Sequence, residues 1–374
     1  MNTFEINPNK YILIAIEQKI ILIPFNKYNL SFAKPITIFE CVDVINQIKL
    51  MSIPDSKDEI IIALDNSGIV TTALISNKNS ISNIKKIKAT IDSNDNSVWS
   101  IDCQYPYIVI GGNHKCVMLF NYETSEEMNS KSIIYIGNEH NVPCVSISKC
   151  GLFVGNNSID QVAKIFDIQT GKLIAKIDNP KSEWGWGVSF IPKNLFREQD
   201  SSFKDNVKTK KSLNYYKEYL RNSLIDKYYI LTSFQNSATL NELSFADEEN
   251  DNDITIKNNR ISQMNLLENF IKLKYFNMTQ YNYLMIQTFL STSRYEYIFY
   301  TEKTHLIFLG NKNGDLHVYE MSLFSNTIDE EEKTIIDFGE RLAGIRIKEE
   351  SENIVDIYAL TLRGTLYNYR MRYE

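Results

Sequence analysis

The sequence predicts an all-β fold, a closed ring of seven blades, and two observations carry this prediction. An apolar strand, a short polar turn and a second strand ending in an aromatic residue recur along the chain. The composition agrees, because 22 Tyr and 19 Phe against 14 Gly in 374 residues favour strands, where aromatic side chains fit a pleated surface. A closed all-β ring reaches this length without dividing, so we expect residues 1–374 to form a single propeller.

Seven hairpins set the expected number of blades. The hairpins begin at Tyr11, Glu59, Tyr107, Leu152, Tyr228, His305 and Ile354. Four of the six spacings between their turns are roughly 46 to 51 residues, close to the length of one propeller blade. The other two spacings, about 76 residues each, require insertions.

A short apolar strand precedes most hairpins, and another strand follows. The preceding strands begin at Ile45, Ser97, Val142, Gly185 and Arg341. With a following strand such as KLIAKID from Lys172, each unit has four strands, which is the blade of a propeller. Sandwiches and barrels lack this regular period.

Ring closure is predicted from the two ends of the sequence. Residues 365–371 read as the third strand of the last blade, and the segment 2–7 precedes the first hairpin. An uncovered strand edge exposes a ladder of unpaired N–H and C=O groups. We therefore expect the N-terminal strand to pair with the last blade and so close the ring.

Two segments between the hairpins differ in composition from the strands. In the insertion 194–226, Lys208, Lys210 and Lys211 are bunched, and Leu and Tyr then recur at helical spacing after Ser212. This pattern predicts a disordered basic stretch leading into a short helix, which either contacts a partner or only covers the propeller rim. The run ADEENDND at 246–253 predicts a flexible acidic loop, and it lacks the Gly and Glu that a calcium loop needs.

One unit, residues 139–178, has the pattern of a WD repeat. His140 takes the place of the His in the Gly-His pair, Asp160 falls in the tight turn, and Phe166 and Asp167 stand where the Trp-Asp pair would be. We predict that His140, Asp160 and Asp167 form a structural network, with His140 and Asp160 in one buried set of hydrogen bonds. A catalytic or metal-binding His140 is disfavoured, because no second His lies nearby in the sequence.

Three segments in the middle of the chain carry a narrower resemblance. They are NSVWSID from Asn96, EHNVPCVSIS from Glu139 and WGWGVSFIPKNLFR from Trp184. Over about residues 96 to 197, the chain resembles a fungal WD-repeat family, the constitutive regulators of ribonucleotide reductase transcription. The resemblance implies a nuclear substrate adaptor of a cullin ubiquitin ligase, with a linker subunit of that ligase as one partner.

Trp184 and Trp186 have two interpretations. Strand alternation places both side chains on one face, where an exposed pair would be a binding hot spot. A buried pair would instead be core packing, with Gly185 and Gly187 making room, and this interpretation is favoured. Trp99 has the same ambiguity.

Arg370 is a further candidate for a partner contact. Many propeller adaptors of cullin ligases dock through a Trp-Asp-x-Arg element, and Gln169 stands where that Arg would follow Asp167. In the last blade, YNYR at 367–370 offers Arg370 as the cation. A solvated Arg at a strand end is the alternative.

Composition and motifs exclude several classes of function. A net charge of −6 disfavours direct nucleic-acid binding, and five Cys without a C-x-x-C pair disfavour zinc and disulfides. Glu17, Gln18 and Lys19 interrupt the apolar N-terminal stretch, so we expect no membrane span. No phosphate-binding loop, nucleophile elbow or H-E-x-x-H occurs, so we expect no cofactor, metal, small-molecule substrate or catalytic residue.

These observations favour a non-catalytic adaptor or scaffold in the nucleus or cytoplasm that binds other proteins. It would serve a cullin-type ubiquitin ligase, or regulate transcription or genome maintenance. One alternative is a structural subunit of a constitutive multiprotein assembly. Another is an enzyme whose titratable residues converge on the central channel from several blades.

Overall fold

The computed structural model describes residues 3–7, 10–26, 31–76, 79–88, 97–125, 133–135, 137–178, 183–192, 228–234, 238–243, 256–257, 295–311, 313–322, 327–328 and 334–372. Within these ranges every regular element is a β-strand, and the strands form seven antiparallel sheets. The prediction of a seven-bladed all-β propeller is confirmed. The proposed helix in 194–226, with Lys208, Lys210 and Lys211, and the acidic loop 246–253 lie outside the described residues.

The first four blades occupy the first half of the chain. Blade 1 contains β1 (Thr3–Asn7), β2 (Tyr11–Ile16), β3 (Lys19–Asn26), β4 (Ser31–Phe32) and β5 (Ile36–Glu40). Blade 2 contains β6 (Ile45–Ser52), β7 (Glu59–Asp65), β8 (Ile69–Ile75) and β9 (Ile81–Lys88). Blade 3 contains β10 (Val98–Gln104), β11 (Tyr107–Gly112), β12 (Val117–Asn121) and β13 (Ile133–Tyr135). Blade 4 contains β14 (Cys144–Ile147), β15 (Phe153–Asn157), β16 (Val162–Asp167) and β17 (Leu173–Asp178).

The last three blades complete the ring. Blade 5 contains β18 (Gly185–Pro192), β19 (Tyr228–Phe234), β20 (Ala238–Leu243) and β21 (Ile256–Lys257). Blade 6 contains β22 (Tyr295–Tyr300), β23 (Leu306–Asn311), β24 (Asp315–Ser322), β25 (Thr327–Ile328) and β26 (Thr334–Asp337). Blade 7 contains β27 (Leu342–Ser351), β28 (Ile354–Thr361) and β29 (Leu366–Arg372).

The first strand of each blade lies at the centre of the ring. Neighbouring first strands contact one another in the order β1, β6, β10, β14, β18, β22 and β27, and β27 contacts β1 again. The remaining strands of a blade follow outward in chain order, except that β5 pairs with β3 and β26 pairs with β24. The ring is therefore closed by first strands that lie side by side.

Apolar clusters fill the spaces between successive blades. In the space between blades 2 and 3, Ile60 and Ile62 pack with Ile108 and Ile110, and equivalent clusters occupy the other six spaces. Middle strands are therefore buried on both faces. This explains why they read as unbroken apolar runs such as EIIIALD rather than as alternating patterns.

The predicted pairing of the N-terminal strand with the last blade was wrong. β1 pairs antiparallel with β2, with Thr3 opposite Ala15 and Asn7 opposite Tyr11, and it is the innermost strand of blade 1. Pairing with the adjacent strand closes only a short loop, which costs little chain entropy. Contact with the last blade comes instead from packing, because Ile6 joins the cluster between blades 7 and 1.

A β-bulge recurs near the start of the first strand in five blades. The register shifts between Ile45 and Gln47, Val98 and Ser100, Gly185 and Gly187, Tyr295 and Tyr297, and Leu342 and Gly344. The extra residue rotates the side chains that precede it relative to those that follow. Bulges therefore set the side-chain directions at the end of the propeller where first strands begin.

Candidate interaction face of the propeller

At one end of the ring, two kinds of loop lie side by side in the blades whose loops the structure describes. There, the connection that leads into the first strand lies beside the turn between the second and third strands, because these neighbours run antiparallel. Backbone hydrogen bonds join the two, as from Asn113 N–H to Ser97 O at 2.9 Å and from Ile159 N–H to Asn141 O at 3.0 Å. We call this end the turn face.

Half of the exposed large apolar side chains in the described residues lie on the turn face. Among the described residues, the large hydrophobic side chains that are exposed fall into two groups. The turn-face group is Ile16, Val42, Trp99, Trp184 and Leu362. The other group is spread over the outer strands, one in each of five blades: Ile36, Ile84, Leu173, Ile335 and Tyr369. Exposed apolar residues that share one end of the ring make that end the candidate binding surface.

Trp184 is exposed and Trp186 is buried, with 46% and 7% of their surfaces accessible. The favoured interpretation of a buried pair therefore holds for Trp186 but not for Trp184, and a bulge between Gly185 and Gly187 interrupts the alternation at Trp186. The two rings remain neighbours, with centroids 6.4 Å apart. The buried Trp186 ring therefore contacts the exposed Trp184 ring.

Gly185 and Gly187 allow blade 4 to approach blade 5 closely beneath Trp184. Asn157 Nδ2 donates to Gly187 O at 2.9 Å, and Gly185 N–H donates to Ser158 O at 3.1 Å. A Cβ atom on Gly185 would lie 2.6 Å from Ser158 O. The exposed Trp184 ring is thus carried on a tightly packed seam rather than on a free loop.

Trp99 occupies the bulge of blade 3, the position that Trp186 has in blade 5. Its ring is partly exposed, and its Nε1 donates to Ser97 Oγ at 2.8 Å. Ser97 Oγ in turn donates to Asn66 Oδ1 at 3.0 Å in the neighbouring blade. The polar edge of the indole is therefore held by a hydrogen bond, while the ring as a whole remains partly exposed.

Two turn-face residues that the sequence reasoning missed organise their loops. Asp65 is buried, and its carboxylate accepts from Ser67 N–H at 3.1 Å, Ile69 N–H at 2.9 Å and Val42 N–H at 3.3 Å. Asn311 Oδ1 likewise accepts from Gly314 N–H at 3.1 Å in blade 6. The turn sequences DNSG and NKNG were the available signal, since Asp and Asn often bind the backbone of their own turn.

In blade 4, Asp160 belongs to a polar network whose cation is Lys164. Asp160 Oδ2 accepts from Glu139 N–H at 2.7 Å and lies 3.3 Å from Lys164 Nζ, with side chains 8% and 5% exposed. Lys164 Nζ also donates to Asn138 Oδ1 at 2.9 Å. Burial alone would raise the pKa of Asp160, but the hydrogen bonds and the Lys164 charge outweigh it and hold the pKa below its ordinary value.

His140 and Asp167 lie apart from this network. His140 is exposed, which corrects its predicted burial, and its Nδ1 accepts from Asn141 N–H at 2.8 Å. The buried Lys164 ammonium occupies the role expected of the imidazole. Asp167 is buried at the opposite end of β16, where Oδ1 accepts from Thr170 N–H at 2.6 Å and shapes the next turn.

Replacing Asp160 with Ala is expected to lower the free energy of unfolding by about 1 to 3 kcal/mol, because Lys164 and Glu139 N–H lose a buried acceptor. The ionised carboxylate stabilises the fold above the ordinary carboxyl pKa of about 4, and this contribution is lost as the pH falls through the lowered pKa. Denaturant unfolding at neutral pH measures the loss. His140→Ala is the control, with a change within about 0.5 kcal/mol. An unchanged midpoint for Asp160→Ala would show that the network does not stabilise blade 4.

Arg370 lies on β29, on the outside of blade 7, away from the turn-face residues. Its Nε and Nη2 donate to the two oxygens of the buried Asp356 at 2.7 and 2.8 Å, and this pairing raises the pKa of Arg370. The guanidinium side chain is nevertheless 54% exposed. Its suggested contact with a partner stays a prediction.

The centre of the ring carries paired charges. Arg346 of blade 7 binds Glu5 of blade 1 through two hydrogen bonds, and Lys49 Nζ lies 3.4 Å from Asp102 Oδ1 between blades 2 and 3. Asp102 Oδ2 also accepts from Ile147 N–H of the next first strand at 2.9 Å. Burial would lower the pKa of Lys49, but the Asp102 charge raises it above its ordinary value. These groups join first strands, and a raised pKa keeps Lys49 protonated, unlike a general base.

Among the described residues, no group of three or more His, Cys, Asp or Glu side chains is placed to hold a metal ion. No helix in the same part of the chain is long and apolar enough to cross a membrane.

Comparison with known proteins gives a partial similarity. No protein family model matches the chain. A WD repeat-containing protein of Schizosaccharomyces pombe, described as uncharacterized, is 35% identical over 66 residues. That stretch is 18% of this chain and only 13% of the fission yeast protein. The chain is thus a seven-bladed β-propeller with a local similarity to a WD-repeat protein.

Proposed function

We propose that this chain is a non-catalytic protein-interaction propeller whose turn face binds a partner protein. The observation that carries the proposal is the pair of exposed Trp side chains, Trp99 and Trp184, on one end of the ring together with other exposed apolar residues. Trp is enriched at binding hot spots because a large rigid ring buries much area at little entropic cost. Both rings are held by their surroundings, which limits the ordering cost of binding.

The charges at the centre of the ring support a role without catalysis. Glu5 is paired with Arg346, and Asp102 with Lys49 and a backbone N–H. Catalytic acids and bases usually have pKa values displaced toward neutrality, whereas the raised pKa of Lys49 is displaced away from it. The central charges serve to join blades in this proposal.

The more specific part of the proposal is a substrate-recruiting adaptor of a cullin-type ubiquitin ligase, or a regulator of transcription or genome maintenance, in the nucleus or cytoplasm. The sequence resemblance over residues 96–197 supports it, and that segment contains both Trp99 and Trp184. Arg370 would then contact the linker subunit. Asp356 holds its guanidinium in a fixed, half-exposed position suited to a bidentate contact.

Affinity purification of the native protein under mild salt tests this function. We expect at least one partner protein in stoichiometric amount, including a ligase linker subunit if the adaptor assignment holds. Absence of any stoichiometric partner would contradict the interaction role. Partners without a ligase subunit would retain the interaction role and remove the adaptor assignment.

A structural subunit of a constitutive assembly is the second candidate. The exposed apolar residues on the outer strands of five blades favour it, because they would allow packing around the circumference of the ring. Stable co-migration with several large subunits through size-exclusion chromatography would identify this case. An adaptor would instead dissociate from its substrate during the separation.

A further inference from the structure

Blade 7 has a free outer edge in the part of the chain that the structure describes. The other six blades each have four or more paired strands, whereas blade 7 has β27, β28 and β29. No described strand pairs with the outer side of β29, which is seven residues long. An edge of this length is a template for one more strand.

The hydrogen-bond alternation identifies which residues face this edge. Thr361 N–H donates to Thr365 O at 2.9 Å, so these two residues form a hydrogen-bonded pair. Such pairs alternate along an antiparallel ladder, and the next ones are Ala359 with Tyr367 and Ile357 with Tyr369. The residues of β29 between them direct their N–H and C=O groups away from β28, toward the outer edge. These residues are Leu366, Asn368, Arg370 and Arg372.

The two faces of β29 differ in chemistry. Arg370 and Arg372 lie on one face, and both are exposed. The other face is aromatic, with Tyr369 41% exposed and its ring centroid 5.6 Å from that of Phe338 and 6.1 Å from that of Tyr367. A strand added here would meet cations on one side and aromatic rings on the other.

We propose that the outer edge of β29 accepts an extended segment of another protein as the fourth strand of blade 7, and that this segment alternates acidic with apolar or aromatic residues. Carboxylates would lie beside Arg370 and Arg372, and apolar side chains would pack beside Tyr369. Backbone hydrogen bonds to β29 would supply much of the affinity. The alternation of acidic with apolar side chains in the added strand would supply the specificity. This surface is distinct from the turn face, and the inference does not rest on the function proposed for that face.

Charge argues for an acidic partner over a second copy of this chain. Two antiparallel copies of β29 joined edge to edge would place Arg370 and Arg372 of both copies on one face. Among the described residues, Asp356 is already bound to Arg370 within each copy, and the Glu350 charge acts on Arg370 less strongly. Like charges on neighbouring strands are destabilising, whereas carboxylates on the added strand would be compensated.

A synthetic peptide that alternates Glu with Val and Tyr provides the probe, with its binding to the full chain followed by fluorescence anisotropy. Asn368→Pro removes an outward N–H and leaves the ladder to β28 intact, so we expect it to weaken binding by about tenfold or more. Asn368→Ala keeps the N–H and is the matched control. A peptide with Lys in place of Glu should bind about tenfold more weakly than the acidic peptide.

A second variant replaces Asn368→Pro in the test if the thermal midpoint of Asn368→Pro is lower than that of Asn368→Ala. Arg372→Glu should weaken the acidic peptide and strengthen the basic one. No binding of the acidic peptide to the natural chain, or equal affinity for Asn368→Pro and Asn368→Ala in folded proteins, would overturn the proposal. A dimer in sedimentation that Asn368→Pro dissociates would also overturn it, since the occupant would then be a second copy. Turn-face variants that lose their partner proteins should still bind the peptide. The two experiments can therefore contradict one proposal without contradicting the other.

Discussion

Replacing Arg346 with Ala is expected to lower the free energy of unfolding by about 3 to 5 kcal/mol. Arg346 and Glu5 are 17% and 10% exposed, and Arg346 Nε donates to Glu5 Oε2 at 2.7 Å. Removing the guanidinium leaves a largely buried carboxylate without its cation, which costs more than the pair contributes. Denaturant unfolding monitored by intrinsic fluorescence measures the change.

Two comparisons isolate the ion pair as the cause. Arg341→Ala removes an exposed cation just before β27 and should change stability by less than about 0.5 kcal/mol. Combining Glu5→Leu with Arg346→Met removes both charges, so this double variant should be more stable than Arg346→Ala alone. A loss below about 1 kcal/mol for Arg346→Ala would show that this pair does not join blades 1 and 7.

Deleting residues 1–7 should destabilise the protein more than any single substitution described above. The deletion removes the innermost strand of blade 1, the ladder from Thr3 to Ala15 and from Asn7 to Tyr11, and the Glu5 partner of Arg346. It also uncovers the inner edge of β2, which favours association. We expect a lower thermal midpoint and larger species in size-exclusion chromatography with light scattering.

Deleting residues 247–253, which lie outside the described ranges, is the length-matched comparison. We expect it to leave the thermal midpoint and the oligomeric state nearly unchanged. Equal tolerance of the two deletions would mean that β1 is not part of the ring. The seven-bladed closed arrangement would then have to give way to an open one.

The sequence predicted the number of blades because the signal is local. The second and third strands of a blade are joined by a short turn. Because both strands are buried on both faces, the sequence has an apolar run on each side of that turn. The position of the N-terminal strand could not be predicted from such a local signal. By sequence, residues 3–7 fit the first position of blade 1 as well as an outer position on blade 7. The pairing with β2 and the contacts of Ile6 and Glu5 with blade 7, which the sequence does not show, separate the two.

The candidate site was predicted in part, and the bulges explain much of the rest. Alternation assumes an unbroken strand, but β18 begins only at Gly185 and has a bulge at Trp186. Trp186 is buried and Trp184 exposed, whereas Trp99 at the same bulge position in blade 3 is partly exposed. The bulged residues in other blades, such as Asn46 and Ala343, share no side-chain type that would mark the position. Lys164 was missed because a strand Lys is usually solvated, and burial here depends on Asp160 and Asn138 meeting its ammonium.

The central claim is that the turn face binds protein, and paired surface variants in one affinity purification test it most directly. Trp99→Ser with Trp184→Ser alters the turn face, and Ile84→Ser with Leu173→Ser removes equally exposed apolar residues from outer strands. Thermal unfolding first confirms that both variants are folded. We predict that the Trp variant loses its stoichiometric partner, with affinity reduced about thirtyfold or more by loss of a Trp hot spot. The outer-strand variant should retain that partner. Full retention by the Trp variant, or loss only from the outer-strand variant, would contradict binding at the turn face.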